Sequence, residues 1–376
     1  MRSIREPVPS LGSLDRVTIQ DGILRLQGWV FSLQNQPINS FQVFYQGEPL
    51  TNWVEMAANL PRPDIQQAFP TIPAAANPRF RIFIPVTNQQ QEQLSPLPWW
   101  ERGGGRGILP DNLITVIPFI DGEPGCALCN VLEPRLPLPD PELVEAIGGG
   151  FAGVAFQFLA QFIQRAGLEP TDTVLDIGCG VGRIAYALSY YLKPPGFYHG
   201  FDIMPHLIQW ATNHITPHFP HIQFHHAHIY NQLYNPTATI TALDYQFPYG
   251  DASFDLVCLT SVFTHMRGAE IRHYLKEIYR ILKPGGRCLC TTFLINPESE
   301  RGIGRGSSSQ PLIYPWEDGF TANPEMPEQA VGFPEPLFLN WINSQKFRIL
   351  GKYYGTWSGR RDFTVAHQDM LVIEKD

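Results

Sequence analysis

Two different patterns of hydrophobic and polar positions run along the chain. In residues 1–130, short apolar or alternating segments are separated by Gly, Pro, Asn and Gln, which is typical of β-strands joined by turns. These segments cover residues 17–20, 23–31, 38–45, 79–86 and 113–120. Proline is dense in this region and is excluded from central strands, so the strands should be short. The pattern predicts a compact β-sandwich over residues 1–130.

From residue 173 onward, apolar strand-like runs alternate with segments of helical periodicity, which predicts an α/β domain. The predicted strands cover residues 173–177, 198–201, 222–226, 253–259, 287–294, 348–354 and 370–374, and the predicted helices cover residues 183–192, 206–215, 268–282 and 334–343. Residues 296–332 show no periodicity and are rich in Gly, Ser and Pro. Because this stretch is too long for an idle connection, we predict a lid or a substrate loop there.

A proline-rich segment marks the expected boundary between the two regions. With 376 residues, the chain is long for one domain, and two domains are the natural expectation. Residues 131–141 contain four prolines and should form a stiff, extended linker. We therefore predict an accessory β-domain over residues 1–130 and an α/β domain over residues 142–376. The helical pattern of residues 151–166 should pack on the sheet of the second domain.

A glycine-rich turn follows the first strand of the α/β domain. Gly178, Gly180 and Gly182 stand between that strand and the next helix, where glycine lets the backbone pass close to a ligand. Asp202 ends the following apolar segment, about twenty residues further on, where an acid can bind the hydroxyls of a ribose. The unit therefore predicts a site for an adenosine-containing cofactor. Gly180, Gly182 and Ala185 also match the dinucleotide fingerprint, which alone is a weak signal.

The longer string 176–183, Asp-Ile-Gly-Cys-Gly-Val-Gly-Arg, resembles the first motif of class I S-adenosylmethionine-dependent methyltransferases. Residues 250–257 resemble the lead-in and fourth strand of that family, and residues 275–286, which end in Leu-Lys-Pro-Gly-Gly, resemble its helix and turn before strand five. The resemblance covers about residues 145–376 and implies a Rossmann-like sheet with helices on both faces. It also implies that the protein is a methyltransferase with S-adenosyl-L-methionine as cofactor.

The resemblance assigns a set of cofactor-binding positions to this chain. They are Asp176, Gly178, Cys179, Gly180, Gly182, Asp202, Ile203, His228, Ile229 and Thr260. Asp176 should lie under the cofactor, and Ile203 should pack on the adenine. His228 stands where the family usually has an acid facing the adenine amino group, so this chain departs from the pattern there. A neutral imidazole still accepts one hydrogen bond.

Two further segments carry candidate substrate chemistry. His265 follows the fourth strand, at the edge where ligands bind in open parallel sheets, and is the candidate general base; the alternative is a helix cap or a packed side chain. In the loop 355–361, Trp357 and Arg360 suit stacking on a sugar and pairing with a phosphate or carboxylate; the alternative is a wide hairpin. The N-terminal region resembles small accessory β-domains of bacterial glycan-modifying enzymes, through residues 28–31 and 62–65. Together these features predict O-methylation of a sugar, glycan or other small molecule.

The composition of the chain limits the substrates and partners that we expect. The formal charge is −8 and no Lys/Arg run occurs, which argues against a nucleic-acid substrate. No apolar stretch reaches membrane-spanning length and the N-terminus lacks a signal-peptide core, so we expect a cytoplasmic protein without membrane insertion. The sequence leaves the oligomeric state open.

No metal site is predicted, and two other functions remain as alternatives. Cys126 and Cys129 could join Cys288 and Cys290 in a zinc site. However, Cys288 and Cys290 are separated by one residue, and this spacing is poor for a zinc knuckle. The histidines of residues 214–228 would not converge easily on one metal ion, because side chains of the third strand alternate between the two faces of the sheet.

Two alternative functions remain open. One is a non-catalytic, methyltransferase-like binding or scaffold protein, and the other is a nicotinamide-dependent oxidoreductase. The intact glycine loop and Asp202 argue against a pure scaffold.

Overall fold

The computed structural model describes residues 10–20, 23–32, 34–45, 48–50, 55–68, 73–85, 113–131, 136–360 and 366–376. Residues 132–135 of the predicted linker lie outside the described residues. The chain divides into two compact units: Met1–Thr171 with Arg183–Pro195, and Asp172–Gly182 with Gly196–Asp376. Each unit has its own architecture.

The first unit contains two antiparallel β-sheets. Its strands are β1 (Ser10–Gln20), β2 (Ile23–Ser32), β3 (Ile38–Tyr45), β4 (Glu48–Leu50), β5 (Glu55–Leu60), β6 (Arg79–Pro85), β7 (Leu113–Ile120), β8 (Glu123–Pro124) and β9 (Leu128–Val131). One sheet has the order β1-β2-β6-β5, and the other has the order β4-β3-β7-β8 with β9 also paired to β7. Leu26 and Ile82 of one sheet share a buried core with Val43 and Ile114 of the other. The predicted β-rich N-terminal region is confirmed.

Four described helices also belong to the first unit. They are α1 (Pro63–Ala68), α2 (Pro141–Ala146), α3 (Ala152–Ala166) and α4 (Arg183–Leu188). Gln164 of α3 accepts a hydrogen bond from the Ala127 amide at 2.7 Å and donates one to the Gly125 carbonyl at 3.1 Å. Helix α3 is thus bonded to the segment before β9, within the same unit. The domain boundary expected at residues 131–141 stays a prediction.

We expect residues 140–376, expressed alone, to bind S-adenosylhomocysteine, because every predicted cofactor-binding residue lies in the second unit. The fragment should melt at a lower temperature than the full chain, because Gln164 loses both of its partners near β9. Calorimetry and thermal unfolding of the fragment and the full chain check both points. A folded fragment that no longer binds the cofactor product would contradict the expected domain division.

The second unit is built on a seven-stranded sheet. Its strands are β10 (Thr173–Ile177), β11 (Phe197–Asp202), β12 (Ile222–His226), β13 (Phe254–Leu259), β14 (Leu282–Thr292), β19 (Phe347–Tyr353) and β20 (Asp369–Lys375). The strand order is β12-β11-β10-β13-β14-β20-β19. The five strands from β12 to β14 pair in parallel, and β20 is antiparallel to both of its neighbours. The predicted Rossmann-like sheet is confirmed.

The topology of this sheet determines where a ligand can bind. The chain runs outward from β10 to β12 and then returns to pair β13 on the other side of β10. At such a switch point the connections diverge, which opens a crevice at the carboxyl ends of the strands. The crevice therefore lies beyond Ile177 and Leu259.

The second unit has four described α-helices, and all but the third bury apolar side chains. They are α5 (Pro205–His214), α6 (Gly268–Ile281), α7 (Pro297–Gly304) and α8 (Glu335–Ser344). In α6, residues 271, 274, 275, 278 and 281 are buried, which is the spacing of one helical face. Central strands such as β13 are buried almost continuously, as strands covered on both faces are.

The stretch 296–332 folds into regular structure instead of one long loop. After α7, β16 (Tyr314–Trp316), β17 (Gly319–Thr321) and β18 (Val331–Pro334) join β15 (Leu294–Ile295) in a sheet of order β15-β18-β17-β16. These strands have two to four residues each, which is too short for a periodic pattern. The prediction of an aperiodic loop was wrong for this reason.

The helices and the cysteines bear on membrane spans and metal binding. No helix in the described part of the chain is long and apolar enough to cross a membrane. All six cysteines are buried free thiols, and burial raises the pKa of the Cys179 and Cys258 thiols, so both stay protonated. Across the described ranges, no three His, Cys, Asp or Glu side chains form a metal-binding group.

Candidate functional site

The glycine-rich turn leaves β10 in a conformation that other residues would strain. Gly178 has a φ of 76° and Gly182 a φ of 83°. A Cβ atom added at Gly178 would lie 2.4 Å from Val262 Cγ2, so a side chain does not fit there. The Gly178 and Cys179 amides donate to the Phe201 carbonyl at 2.8 and 3.0 Å. The turn is thus held against the end of β11.

Asp202 is the last residue of β11, and its side chain reaches the same turn. Its Oδ2 accepts from the Gly180 amide and its Oδ1 from the Met204 amide, each at 2.8 Å. Burial raises the pKa of this carboxyl, although the amide hydrogen bonds oppose the shift. Each carboxylate oxygen has a second lone pair, so Asp202 can also accept from two ligand hydroxyls. The residue suits the predicted ribose contact.

Asp176 lies beneath the turn. Its carboxyl group is fully buried, and its Oδ2 accepts a hydrogen bond from the Tyr198 hydroxyl at 2.7 Å. Burial and the nearby Asp176 carboxylate raise the pKa of Tyr198, so this tyrosine remains a donor. The pair fixes the Asp176 carboxylate at the carboxyl end of β10.

The other predicted cofactor-binding residues follow neighbouring strand ends. Ile203 comes directly after β11 and is half-buried against the main core, and Thr260 comes directly after β13. Beyond β12, Ile229 is buried while His228 is exposed. Carboxyl ends of parallel strands meet at one edge of a sheet, so the structure gathers the predicted set at that edge. The adenine contact of His228 stays a prediction.

His265 closes a short 3₁₀ helix, Phe263–His265, after β13. Its Nδ1 lies 2.8 Å from the Glu328 carbonyl oxygen. A carbonyl only accepts, so Nδ1 carries the proton and Nε2 presents a lone pair. Burial lowers the pKa of His265, which keeps the ring neutral near pH 7.

The pH dependence of turnover should follow from this shift. A base must be neutral, and a lowered pKa keeps His265 neutral to lower pH than usual. We expect the acid-side decrease in kcat/KM to have its midpoint below about pH 6.5, which is the ordinary pKa of histidine. Rates measured across the acidic range, with donor binding measured in parallel, check this. A rate that already falls above the ordinary histidine value would contradict a neutral His265 base.

Tyr234 lies beside His265, and no sequence motif indicates this contact. Its ring meets the His265 ring edge-on, with the centroids 5.4 Å apart. Burial raises the pKa of Tyr234, and the negative charge of Asp202 raises it further. Tyr234 therefore packs beside His265. Tyr234 belongs to no recognisable motif, and its segment, 227–252, shows no periodicity.

Trp357 does not have the predicted sugar-stacking geometry. Its ring is 0% exposed, packs 5.1 Å from the Phe293 ring, and donates from Nε1 to Asp369 at 2.8 Å. The prediction for Trp357 was wrong because this aromatic residue belongs to the core. Asp369 also accepts from the Gly355 and Leu294 amides, and burial raises its pKa to about 6. This carboxylate anchors the loop, and its donors leave it poorly suited to act as a base.

Arg360 lines a cleft of about 770 Å³. Its guanidinium lies 3.9 Å from the Tyr354 ring centroid and bonds to Glu298 and to Asn296 Oδ1. The side chain is 7% exposed. Its contact with a substrate stays a prediction.

Comparison with known proteins finds methyltransferases. Residues 151–327 match the family described as methyltransferase domain. A demethylmenaquinone methyltransferase of Symbiobacterium thermophilum is 31% identical over 130 residues, which is 35% of this chain and 46% of that protein. A 2-methyl-6-phytyl-1,4-hydroquinone methyltransferase of Synechocystis sp. is 32% identical over 133 residues, covering 34% of this chain and 35% of the relative. This chain spans about half the length of the demethylmenaquinone methyltransferases that it matches.

Solved structures include similar chains as well. A SAM-dependent methyltransferase from Methanosarcina mazei is 22% identical, covers 57% of this chain and 96% of its own, and has a TM-score of 0.38. A TehB-like SAM-dependent methyltransferase from Corynebacterium glutamicum is 18% identical, covers 62% of this chain and 92% of its own, and has a TM-score of 0.36.

Proposed function

We propose that this chain, which carries a class I S-adenosylmethionine-dependent methyltransferase domain over residues 151–327, transfers a methyl group to a hydroxyl of a sugar, glycan or other small molecule. One observation carries the proposal. Asp202, suited to a ribose, ends β11, and His265, suited to take a proton, follows β13, so both lie at the carboxyl edge of the parallel strands. Cofactor and acceptor would then meet at one edge of the sheet.

The residues at this edge fit the cofactor. The turn at Gly178 has no room for a side chain, and Asp202 keeps acceptor capacity beyond its two amide donors. When bound, S-adenosylmethionine supplies a methyl group on a sulfonium, which is open to in-line displacement. Holding donor and acceptor in line is the main task left to the protein.

His265 would remove the proton that an acceptor hydroxyl must lose. Its Nδ1–H is held by the Glu328 carbonyl, so the ring can present Nε2 to the acceptor. A positioned base of suitable pKa is worth about 10²–10⁴ in rate. The hydroxyl proton would pass to Nε2 as the oxygen attacks the methyl carbon.

A second candidate substrate is a quinone-type ring. The names of the relatives favour it, since they are quinone or hydroquinone methyltransferases. Exposed apolar side chains favour it as well: Tyr230, Ile240 and Leu243 follow β12, in the segment that carries Tyr234, and Met326 precedes Glu328. An apolar ring or tail would cover such side chains, whereas a sugar would leave them exposed to solvent.

A turnover assay with a panel of acceptors tests the proposal. S-adenosylmethionine would be offered with free sugars, oligosaccharides, phenols and demethylmenaquinone, and methylated products identified by mass spectrometry. An O-methylated sugar or other hydroxyl product supports the first candidate, and methylation of the quinone ring supports the second. Binding of S-adenosylhomocysteine without any turnover would favour a binding or scaffold role, and binding of NAD instead would reject the proposal.

A further inference from the structure

Glu328 is a buried carboxylate outside every recognised motif. It lies between β17 and β18 and is 6% exposed. Its Oε2 accepts from Asn231 Nδ2 at 2.9 Å and from the Gln232 amide at 3.2 Å. Its main-chain oxygen accepts from His265 Nδ1 at 2.8 Å. One residue therefore bonds both to His265 and to the segment that follows β12.

The contacts continue from Asn231 back to the histidine. Asn231 Oδ1 accepts from the Leu233 and Tyr234 amides at 3.0 and 2.9 Å, which fixes a turn. That turn carries the Tyr234 ring, which meets the His265 ring edge-on. Glu328, Asn231, Tyr234 and His265 thus form a closed circuit of contacts.

We propose that Glu328 is a positioning residue that holds the His265 ring with Nε2 directed toward the acceptor, an inference that rests on the proposed function. Its main-chain oxygen fixes the tautomer, and its carboxylate, bonded to residues 231 and 232, holds both that oxygen and the Tyr234 ring in place against His265. An imidazole held only by its own torsions samples several rotamers, and each wrong rotamer removes the base from the acceptor.

Several charges face this circuit. Arg267 Nε lies 3.7 Å from Glu328 Oε1, and Arg267 also pairs with Glu317 at 3.3 Å. Glu270 accepts from the Arg267 amide at 2.9 Å. The guanidinium is 48% exposed, so solvent screens its attraction for the buried carboxylate. The two donors from residues 231 and 232 are the better partners of Glu328.

The test uses the full chain with Glu328→Ala and Glu328→Gln. The amide oxygen of the Gln variant still accepts from residues 231 and 232, whereas Ala accepts nothing. We expect Glu328→Ala to lower kcat by roughly 10- to 100-fold with KM little changed, and Glu328→Gln to restore most of it. The acid limb of the pH profile should shift to higher pH in the Ala variant. A loosened ring is better hydrated, and hydration removes part of the lowering of the His265 pKa that burial causes.

Nitrogen-15 NMR of His265 separates this inference from the proposed function, because it needs no turnover. We expect the Nδ1–H tautomer in the native chain and a mixture of tautomers in Glu328→Ala. Asn231→Ala should change the tautomer in the same direction, and the double variant should add little to either single one. If native turnover is absent but the tautomer responds in this way, the proposed function fails while the positioning role stands.

Glu374→Gln is the matched control. Glu374 is also a buried, ion-paired carboxylate, but it pairs with Arg287, which lies beside Leu256 toward the amino end of β13, away from the site. It should leave both kcat and the His265 tautomer unchanged. The inference is overturned if Glu328→Ala keeps the native tautomer, or if Glu328→Gln loses as much kcat as Glu328→Ala.

Discussion

Replacing His265 with alanine should lower kcat by about 10²–10⁴ while S-adenosylmethionine binding survives, because the variant would lose the proposed proton acceptor and keep the glycine turn proposed to bind the cofactor. The loss should be smallest at high pH, where the acceptor hydroxyl gives up its proton more readily. Steady-state kinetics across pH, together with calorimetry of donor binding, measure the two effects separately.

His214→Ala is the control for this experiment. The His214 ring also contacts a main-chain carbonyl, that of Trp210 at 2.8 Å, but it lies at the far end of α5. Its loss should leave kcat unchanged. Near-native turnover in His265→Ala would show that the protein works by alignment alone, and the base assignment would be withdrawn.

Removing the Asp202 carboxylate should weaken donor binding by about 1–3 kcal/mol, because ribose hydroxyls lose a buried acceptor. The Gly180 and Met204 amides lose their partner in the same variant, so the turn itself should loosen. Calorimetry with S-adenosylhomocysteine measures the change directly.

Asp255→Ala distinguishes a local effect from general destabilisation. Asp255 also accepts from a main-chain amide, that of Thr173 at 2.9 Å, but at the amino ends of β10 and β13, the opposite edge of the sheet. We expect it to lower thermal stability and to leave donor affinity intact. Equal losses of affinity in both variants would contradict the ribose assignment.

Local sequence predicted the turn and the position of Asp202 well. The turn and Asp202 lie within one strand–turn–helix–strand unit, so their spacing in sequence nearly fixes their spacing in space. The strands of the second unit were likewise visible, because buried parallel strands form apolar runs. Their order followed from the resemblance rather than from any residue pattern.

The acceptor side was far less predictable. Glu328 bonds to His265 across 63 positions, and nothing local to either residue records that contact. Trp357 has a composition that suits sugar binding, yet burial depends on what packs around it, which one segment does not reveal. The short strands between β14 and α8 carry no periodicity, so their pairing is a tertiary property.

The division of the chain has a consequence for synthesis on the ribosome. The chain leaves the first unit after Thr171, returns at Arg183, and leaves again after Pro195. The first unit therefore cannot be completed until residue 195 has emerged, by which time the turn 178–182 has already been made. A nascent chain stalled between residues 172 and 195 should lack a finished version of either unit. Helix α3 would then expose Phe156, whose ring lies 6.0 Å from the Tyr186 ring of α4 in the finished unit, and such exposed apolar surface is prone to aggregate.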